Sequence, residues 1–243
     1  MKTAFDLTGR RILITGAACG IGAATARVCA SLGAEVLLVD LEDAESVVAQ
    51  IREAGGRASR HVADVGARAT IERLAADVGD VDGLVANAAV CPWDDDWDDP
   101  NWDANFDRVM AVNVLGPIHL ARVFLPGMFR RGSGRMVFVG SLAGRTGGLI
   151  AGPHYAASKG GIHAFVKWLA RRTAPRGVLV NGVAPASVET PMMTDRPVDL
   201  ARIPLARKAL PEEVAWPIAF LCSAAASYVC GVVLDVNSGV HMA

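Results

Sequence analysis

The chain has 243 residues, 52% hydrophobic and 20% charged, a balance that excludes a disordered or low-complexity polymer. Twenty-four Lys+Arg against 25 Asp+Glu leave a net charge of −1, so the basic excess of a nucleic-acid binder is missing. Five cysteines (19, 29, 91, 222 and 230) form no C-x-x-C pair and no metal-type spacing, and read as reduced thiols of a cytoplasmic protein without a metal site.

From the N-terminus, Asp6 and Gly9-Arg10-Arg11 come before any long apolar run, which argues against a secretory signal. Short β-branched or Leu-rich runs then alternate with longer helical patterns, as repeated βαβ units around a parallel sheet require. Strands are expected at 11–15, 35–40, 58–62, 83–87, 135–140, 179–183 and 232–236. Helices are expected near 20–32, 43–54, 67–78, 102–131, 153–173 and 211–224, with Pro117 kinking the longest. The uncharged stretch 214–234 has the length of a membrane span. It contains Pro217, Ser223, Ser227, Tyr228 and Gly231 and follows the helix start Pro211-Glu212-Glu213, so it reads as a buried helix, a turn and a buried strand. The expected architecture is a single doubly wound α/β domain.

Such sheets bind ligands beyond the carboxyl ends of their strands, and the chemistry-bearing motifs follow the strands. After the first strand comes Thr15-Gly16-Ala17-Ala18-Cys19-Gly20-Ile21-Gly22, then an Ala-rich helix. Glycines there let backbone approach a pyrophosphate and permit φ > 0, and the helix start offers N–H groups to the anion. An ordinary Gly-rich turn would share that composition. Asp40 closes the second strand. A carboxylate there can accept both hydroxyls of an adenosine ribose and would repel a 2′-phosphate; a helix cap or solvated strand end is the plainer alternative. Tyr155 and Lys159 stand four apart near a helix start, hence on one face, and the ammonium is expected to lower the pKa of the phenol. Ser141 ends the fifth strand, where a hydroxyl can hydrogen-bond a substrate oxygen.

The spacing T-G-x-x-x-G-I-G at 15–22, Y-x-x-x-K at 155–159 and the strand–helix order along the whole chain resemble the short-chain dehydrogenase/reductase family. The resemblance implies one Rossmann domain over 1–243, a seven-stranded parallel sheet in the order 3-2-1-4-5-6-7, and a short substrate lid around 190–210. It implies an NAD(H)-dependent oxidoreductase that interconverts a secondary alcohol and a ketone. Tyr155 would exchange the hydroxyl proton while hydride passes between the carbinol carbon and the cofactor. Lys159 would hold the nicotinamide ribose, Ser141 the substrate oxygen, and Asn113 a water relay. By the same resemblance Gly16, Cys19, Gly20, Ile21 and Gly22 meet the phosphates and Asp40 and Leu41 the ribose. Asp64 and Val65 stand at the adenine, although a turn-forming Asp64 is the simpler reading. Asn87 and Ala88 follow the fourth strand, and Pro185, Val188 and Thr190 stand near the nicotinamide. Phosphate-accepting members tend to carry Arg or Lys where Cys19 and Leu41 stand, so NAD is expected rather than NADP. Three departures from the family pattern are Ala86-Asn87-Ala88-Ala89 for N-N-A-G, Ala186 for Gly, and Asn237-Ser238-Gly239 for D-G-G.

On the substrate side, Leu142, Ile150, His154, Ala186, Ser187, Met192 and Met193 occupy segments that line the pocket in relatives. Mostly apolar, they suit a small neutral alcohol or ketone. His154 could touch substrate, though a helix-start His facing solvent is the commoner arrangement. The Asp-rich run 93–103 reads as a solvated loop supplying acid to the next helix, with a metal site or a substrate contact by Trp93 as alternatives. Two competing functions are an NADPH-dependent 3-oxoacyl thioester reductase and a non-catalytic NAD-sensing or scaffold protein. Relatives suggest a homotetramer or homodimer.

Overall fold

The computed structural model describes residues 3–93, 98–148 and 150–242. Among them, strands β1 (Arg11–Thr15), β2 (Glu35–Asp40), β3 (Arg57–Val62), β4 (Gly83–Ala86), β5 (Gly134–Val139), β6 (Val178–Pro185) and β7 (Val233–Val236) form one parallel sheet in the order β3-β2-β1-β4-β5-β6-β7. The expected strand order is thus observed. Helices α1 (Gly20–Ser31), α2 (Glu45–Glu53), α3 (Arg68–Val78), α4 (Trp102–Met110), α5 (Gly116–Arg131), α6 (Ala143–Thr146), α7 (Pro153–Thr173) and α8 (Pro211–Cys222) connect them.

The near-continuous apolar strands follow from burial on both faces. Successive side chains alternate, so Ile12, Ile14, Val36 and Leu38 join one core with α1, α2 and α8. Leu13, Leu37 and Val39 join the other, under α3, α5 and α7. Outermost β3 is exposed at Arg57, Arg60 carries two ion pairs, and such charge blunts a free sheet edge. Strand β6 runs on to Pro185, beyond the expected end at 183, because Gly182–Pro185 pairs with all of β7.

The stretch 214–234 divides into most of α8, a 3-10 turn at Ala224–Ala226 and the start of β7, and α8 packs on α1 in the core. By length and composition alone, Trp102–Arg131 would also suit a membrane span, yet its Leu120, Phe124 and Met128 lie buried against the sheet. That helix is interrupted, as expected, but by a π-turn at Ala111–Leu115 rather than by a kink at Pro117 itself. Pro117 has no N–H for the carbonyl of Asn113 four residues back, and the Gly116 N–H reaches five residues back to the Ala111 carbonyl.

Strand order reverses between β1 and its neighbours β2 and β4, and the crevice beyond their carboxyl ends is where a ligand fits.

Candidate active site

A cleft of about 700 Å³ opens there, lined from the β1–α1 turn across to the segment after β6. At one end Gly16 takes φ +65°, and a Cβ on it would come within 2.8 Å of Ala88 Cα and Asn87 Nδ2. A Cβ on Gly22 would run into the Gly16 carbonyl oxygen, and one on Gly20 would meet Thr190 Cγ2 at 3.1 Å. No side chain caps α1 at Cys19, which leaves its first N–H groups for an anion. Gly16 and Gly20 thus let the backbone of the turn line the cleft, and Gly22 lets α1 pack closely beneath it.

Thr15, buried at the end of β1, holds this turn against β4. Its Oγ1 accepts the Asn87 and Ala88 N–H groups at 3.1 Å each, and Asn87 Nδ2 donates to the carbonyls of Thr15 and Gly16 at 3.0 Å. Asp40 lines the cleft at the end of β2, with Oδ2 accepting from Ala18 N at 2.8 Å and Oδ1 from Glu42 N at 3.2 Å. Each oxygen keeps a further lone pair for a hydroxyl. Leu41 beside it is 60% exposed, so no cation stands at that corner on either Leu41 or Cys19. Asp64 makes the turn expected of it, accepting Gly66 N at 2.8 Å, and it also lines the cleft. A dinucleotide fits what this end of the cleft supplies: an uncapped helix start, a glycine cradle and a carboxylate one strand away.

At the other end, Tyr155 and Lys159 extend from α7 and Ser141 from the end of β5, all lining the cleft. Ser141 is the neighbouring side chain that favours the ionised form of the Tyr155 phenol, and its Oγ accepts Ala143 N at 3.1 Å. Lys159 is 3% exposed, donates from Nζ to the Val139 carbonyl at 2.9 Å, and lies 5.6 Å from the Tyr155 ring centroid. Burial lowers this ammonium to about 8, with Cys91 opposing. The phenol moves the other way from expectation. Burial first, then Cys91, raise it above its ordinary value, and the bond to Ser141 only partly opposes them. The expected acidification by Lys159 is not visible, because the amine is directed at the Val139 carbonyl and desolvation penalises the phenolate.

Residues 16–241 match a family model described as enoyl-(acyl carrier protein) reductase. The chain is 38% identical to cis-4-hydroxycyclohexanecarboxylate dehydrogenase of Sinomonas cyclohexanicum, over 95% of this chain and 96% of that one. It is 35% identical to a 3-oxoacyl-acyl-carrier-protein reductase of Thermotoga maritima, over 96% and 98%. Among solved structures, a 3-oxoacyl-acyl-carrier-protein reductase of Brucella melitensis with bound NAD superposes with a TM-score of 0.89 at 32% identity, covering 98% of this chain and 94% of that one. A candidate NAD(P)-dependent gluconate 5-dehydrogenase of Beutenbergia cavernae, holding NADP at low occupancy, gives 0.92 at 35%, covering 98% and 99%. The chain belongs to the short-chain dehydrogenase/reductase family. It is an oxidoreductase with the family's nucleotide-binding fold, acting on a CH–OH or keto group.

The remaining residues expected from the family pattern fall into two groups. Ile21, Val65, Ala88, Pro185, Val188 and Thr190 line the cleft, as do Trp93, Leu142, Ile150, Ala186, Ser187, Met192 and Met193 nearer the reacting end. Gly22, Asn113 and His154 do not line it. Gly22 packs beneath the turn. Asn113 is 1% exposed, and its side chain pairs with the Val90 backbone at 2.9 Å in both directions and donates to Ser158 Oγ at 3.1 Å. Its amide is thus a structural clamp between the loop after β4 and α7.

For His154 both expectations are corrected. It faces neither substrate nor solvent: it is 1% exposed, stacks on Trp102 with centroids 6.0 Å apart, and accepts Tyr155 N on Nδ1 at 2.9 Å. The start of α4 comes to lie over the start of α7, an apposition that only the tertiary fold creates.

In the Asp-rich run, Asp94, Asp95, Asp96 and Trp97 lie outside the described residues. Of its described members, Asp99 accepts Asn101 N at 2.7 Å and Asp103 lies in the first turn of α4, the helix-start role expected of such acids. Among the described residues no group of three potential metal ligands occurs. The departures Ala89 and Ala186 are tolerated without strain, since neither takes a positive φ. Residues that the sequence reading passed over include Thr15 as a support, Arg108 and Thr146 in the lining, and Ser158. Thr15 was within reach, because it stands in the glycine motif itself.

Proposed function

We propose that this protein is an NAD(H)-dependent dehydrogenase of small neutral secondary alcohols, equally able to reduce the matching ketones. The observation that carries the reading is the convergence of Ser141, Tyr155 and Lys159 on one wall of the cleft, with Lys159 buried one helical turn from Tyr155. When bound, a nicotinamide dinucleotide supplies the hydride acceptor or donor. It would be held by the glycine cradle of 16–22, by Asp40 and Leu41 at the adenosine ribose, by Asp64, Val65, Asn87 and Ala88 along the strand ends, and by Pro185, Val188, Thr190 and Lys159 toward the nicotinamide.

The protein's own part is to place an alcohol and move one proton. Ser141 Oγ hydrogen-bonds the substrate oxygen and Tyr155 Oη exchanges the proton with it. Lys159, held by the Val139 carbonyl, keeps a positive charge beneath that exchange. Because the Asn113 amide is engaged, a proton relay there falls to its main-chain carbonyl, for which Pro117 has no N–H. Trp93, Leu142, Ile150, Met192 and Met193 give the substrate end an apolar wall, and residues 190–210 act as its lid.

NAD is preferred to NADP because Asp40 would repel a 2′-phosphate and neither Cys19 nor Leu41 offers it a cation. A second reading, an NADPH-dependent 3-oxoacyl thioester reductase, is favoured by the Thermotoga maritima relative. We also assign the chain to the cytoplasm, as one catalytic domain assembled into a homotetramer or homodimer.

The test is a panel of neutral secondary alcohols and ketones assayed with NAD(H) and NADP(H). The expected kcat/KM is at least about 10-fold higher with NAD(H), on the order of 1.4 kcal/mol. An equal or greater value with NADPH, above all on a 3-oxoacyl thioester, would overturn the cofactor assignment. Tyr155→Phe is expected to lower kcat by about 10³-fold while cofactor still binds. A variant that kept most of its turnover would overturn the catalytic one.

A further inference from the structure

His163 lies on α7, one turn beyond Lys159 and on the same helix, and nothing in the reaction outlined above uses it. It is 6% exposed, an unusual place for an imidazole without a task. Its Nε2 accepts the main-chain N–H of Ser141 at 3.4 Å. The ring is also wedged between two glycines that flank Ser141. A Cβ on Gly140 would overlap Nε2 and come within 2.6 Å of Cδ2, and a Cβ on Gly144 would meet Cε1 at 2.9 Å. At Gly140 the imidazole itself leaves no room for a side chain; at Gly144 the main chain of Lys159 and Gly160 excludes one as well, at 2.7 and 2.8 Å.

We propose that His163 is a positioning residue for Ser141: bonded to its N–H and locked between Gly140 and Gly144, the ring fixes where the end of β5 turns and hence where the Ser141 hydroxyl stands. The inference rests on the reading of Ser141 as the residue that holds the substrate oxygen.

The surroundings keep the ring in the form that can accept this bond. Burial first, then the Arg145 guanidinium on α6, push His163 down to about 4; Lys159 and Lys167 on α7 act in the same direction, and Asp235 on β7 opposes. Arg145 is itself held, donating from Nε to Asp235 Oδ1 at 3.1 Å and from Nη2 to the Val233 carbonyl at 2.8 Å. The guanidinium whose charge disfavours the imidazolium is thereby fixed to β7. With Nε2 as acceptor and the ring neutral, its one proton belongs on Nδ1.

Two measurements test this. In the wild-type protein, ¹⁵N spectra of the imidazole should show the neutral Nδ1–H tautomer at pH 7; an Nε2–H tautomer or an imidazolium would overturn the proposal. In the second, His163→Leu removes the acceptor, whereas His163→Gln restores one near the Nε2 position. Turnover is followed on whichever panel alcohol the wild type oxidises fastest, and folding by NADH fluorescence titration. His163→Leu should lose about 10- to 100-fold in kcat with NADH affinity retained, and His163→Gln should recover most of it. In a Ser141→Ala background His163→Leu should cost nothing further, because the two act through one group. A loss that adds in full there would show that His163 does not work through Ser141. Ser141→Ala turning over like wild type would instead remove the role given to Ser141, a distinct failure. If His163→Leu does not fold, the tautomer and the His163→Gln variant still decide.

Discussion

Tyr155 illustrates how one side chain's chemistry depends on what surrounds it. A phenol titrates near 10 in water, and the raised value here means that it rests protonated in the open cleft. A protonated phenol is ready to give its proton to a carbonyl but must lose it before it can accept one from an alcohol. Alcohol oxidation is therefore expected to accelerate as pH rises from about 6 to 8, the range in which Lys159 keeps its charge, while ketone reduction stays flat or falls. Steady-state rates in both directions across that range check the sign, and oxidation that slowed with pH would contradict it. Lys159 makes a separate prediction about stability. Its folded-state value of about 8 lies below the ordinary 10.5, so the folded chain releases this proton before the unfolded chain does. The penalty for burying the ammonium is present in full below about 8 and is relieved as pH climbs through 8 toward 10.5, so stability rises with pH in that window. Relative to Lys159→Met, the wild-type Tm should gain roughly 5 °C across it, measured by calorimetry.

Between elements, the clamp at Asn113 ties three pieces of chain together. The π-turn of 111–115 carries it, its amide pairs with Val90 in the loop after β4, and its NH₂ also reaches Ser158 on α7. Asn113→Ala would remove the side-chain partner of both the N–H and the C=O of half-buried Val90, and the bond to buried Ser158. A destabilisation of about 2–4 kcal/mol is expected, read from urea unfolding. A residue that served only a water relay would change kcat and leave the unfolding midpoint where it was. The glycine cradle is an element-level device of the same kind: Gly22 lies outside the cleft yet sets how closely α1 approaches the β1 turn, because its missing Cβ leaves room for the Gly16 carbonyl.

For the molecule as a whole, the proposed cofactor couples binding to folding. A ligand that binds only the folded chain stabilises it by about 2.7 kcal/mol at 100 times its Kd, or about 5–10 °C in Tm for a chain of this size. NAD at millimolar concentration should raise Tm by that order, and NADP at the same concentration by clearly less. Equal shifts would count against Asp40 as the discriminating residue. Light scattering should give a mass that is a multiple of the 25.4 kDa chain if the homotetramer or homodimer forms.

What was legible in the sequence is what lies close together along it. The strand, glycine turn and helix at 11–31, the carboxylate ending β2, and the Tyr–Lys spacing on α7 are local patterns, each imposed by the geometry of its own element, and the resemblance of motif and order to one family extended them to the strand order of the whole sheet. Tertiary packing alone decided the rest. His154 went under Trp102 because α4 happens to cross the start of α7. The Asn113 amide closed on Val90, and His163 came to rest beneath Ser141, 22 residues away in the chain. The phenol of Tyr155 was raised rather than lowered because desolvation is a property of everything that surrounds a group. Its neighbour four residues on, visible in the sequence, turned its charge toward a carbonyl on strand β5.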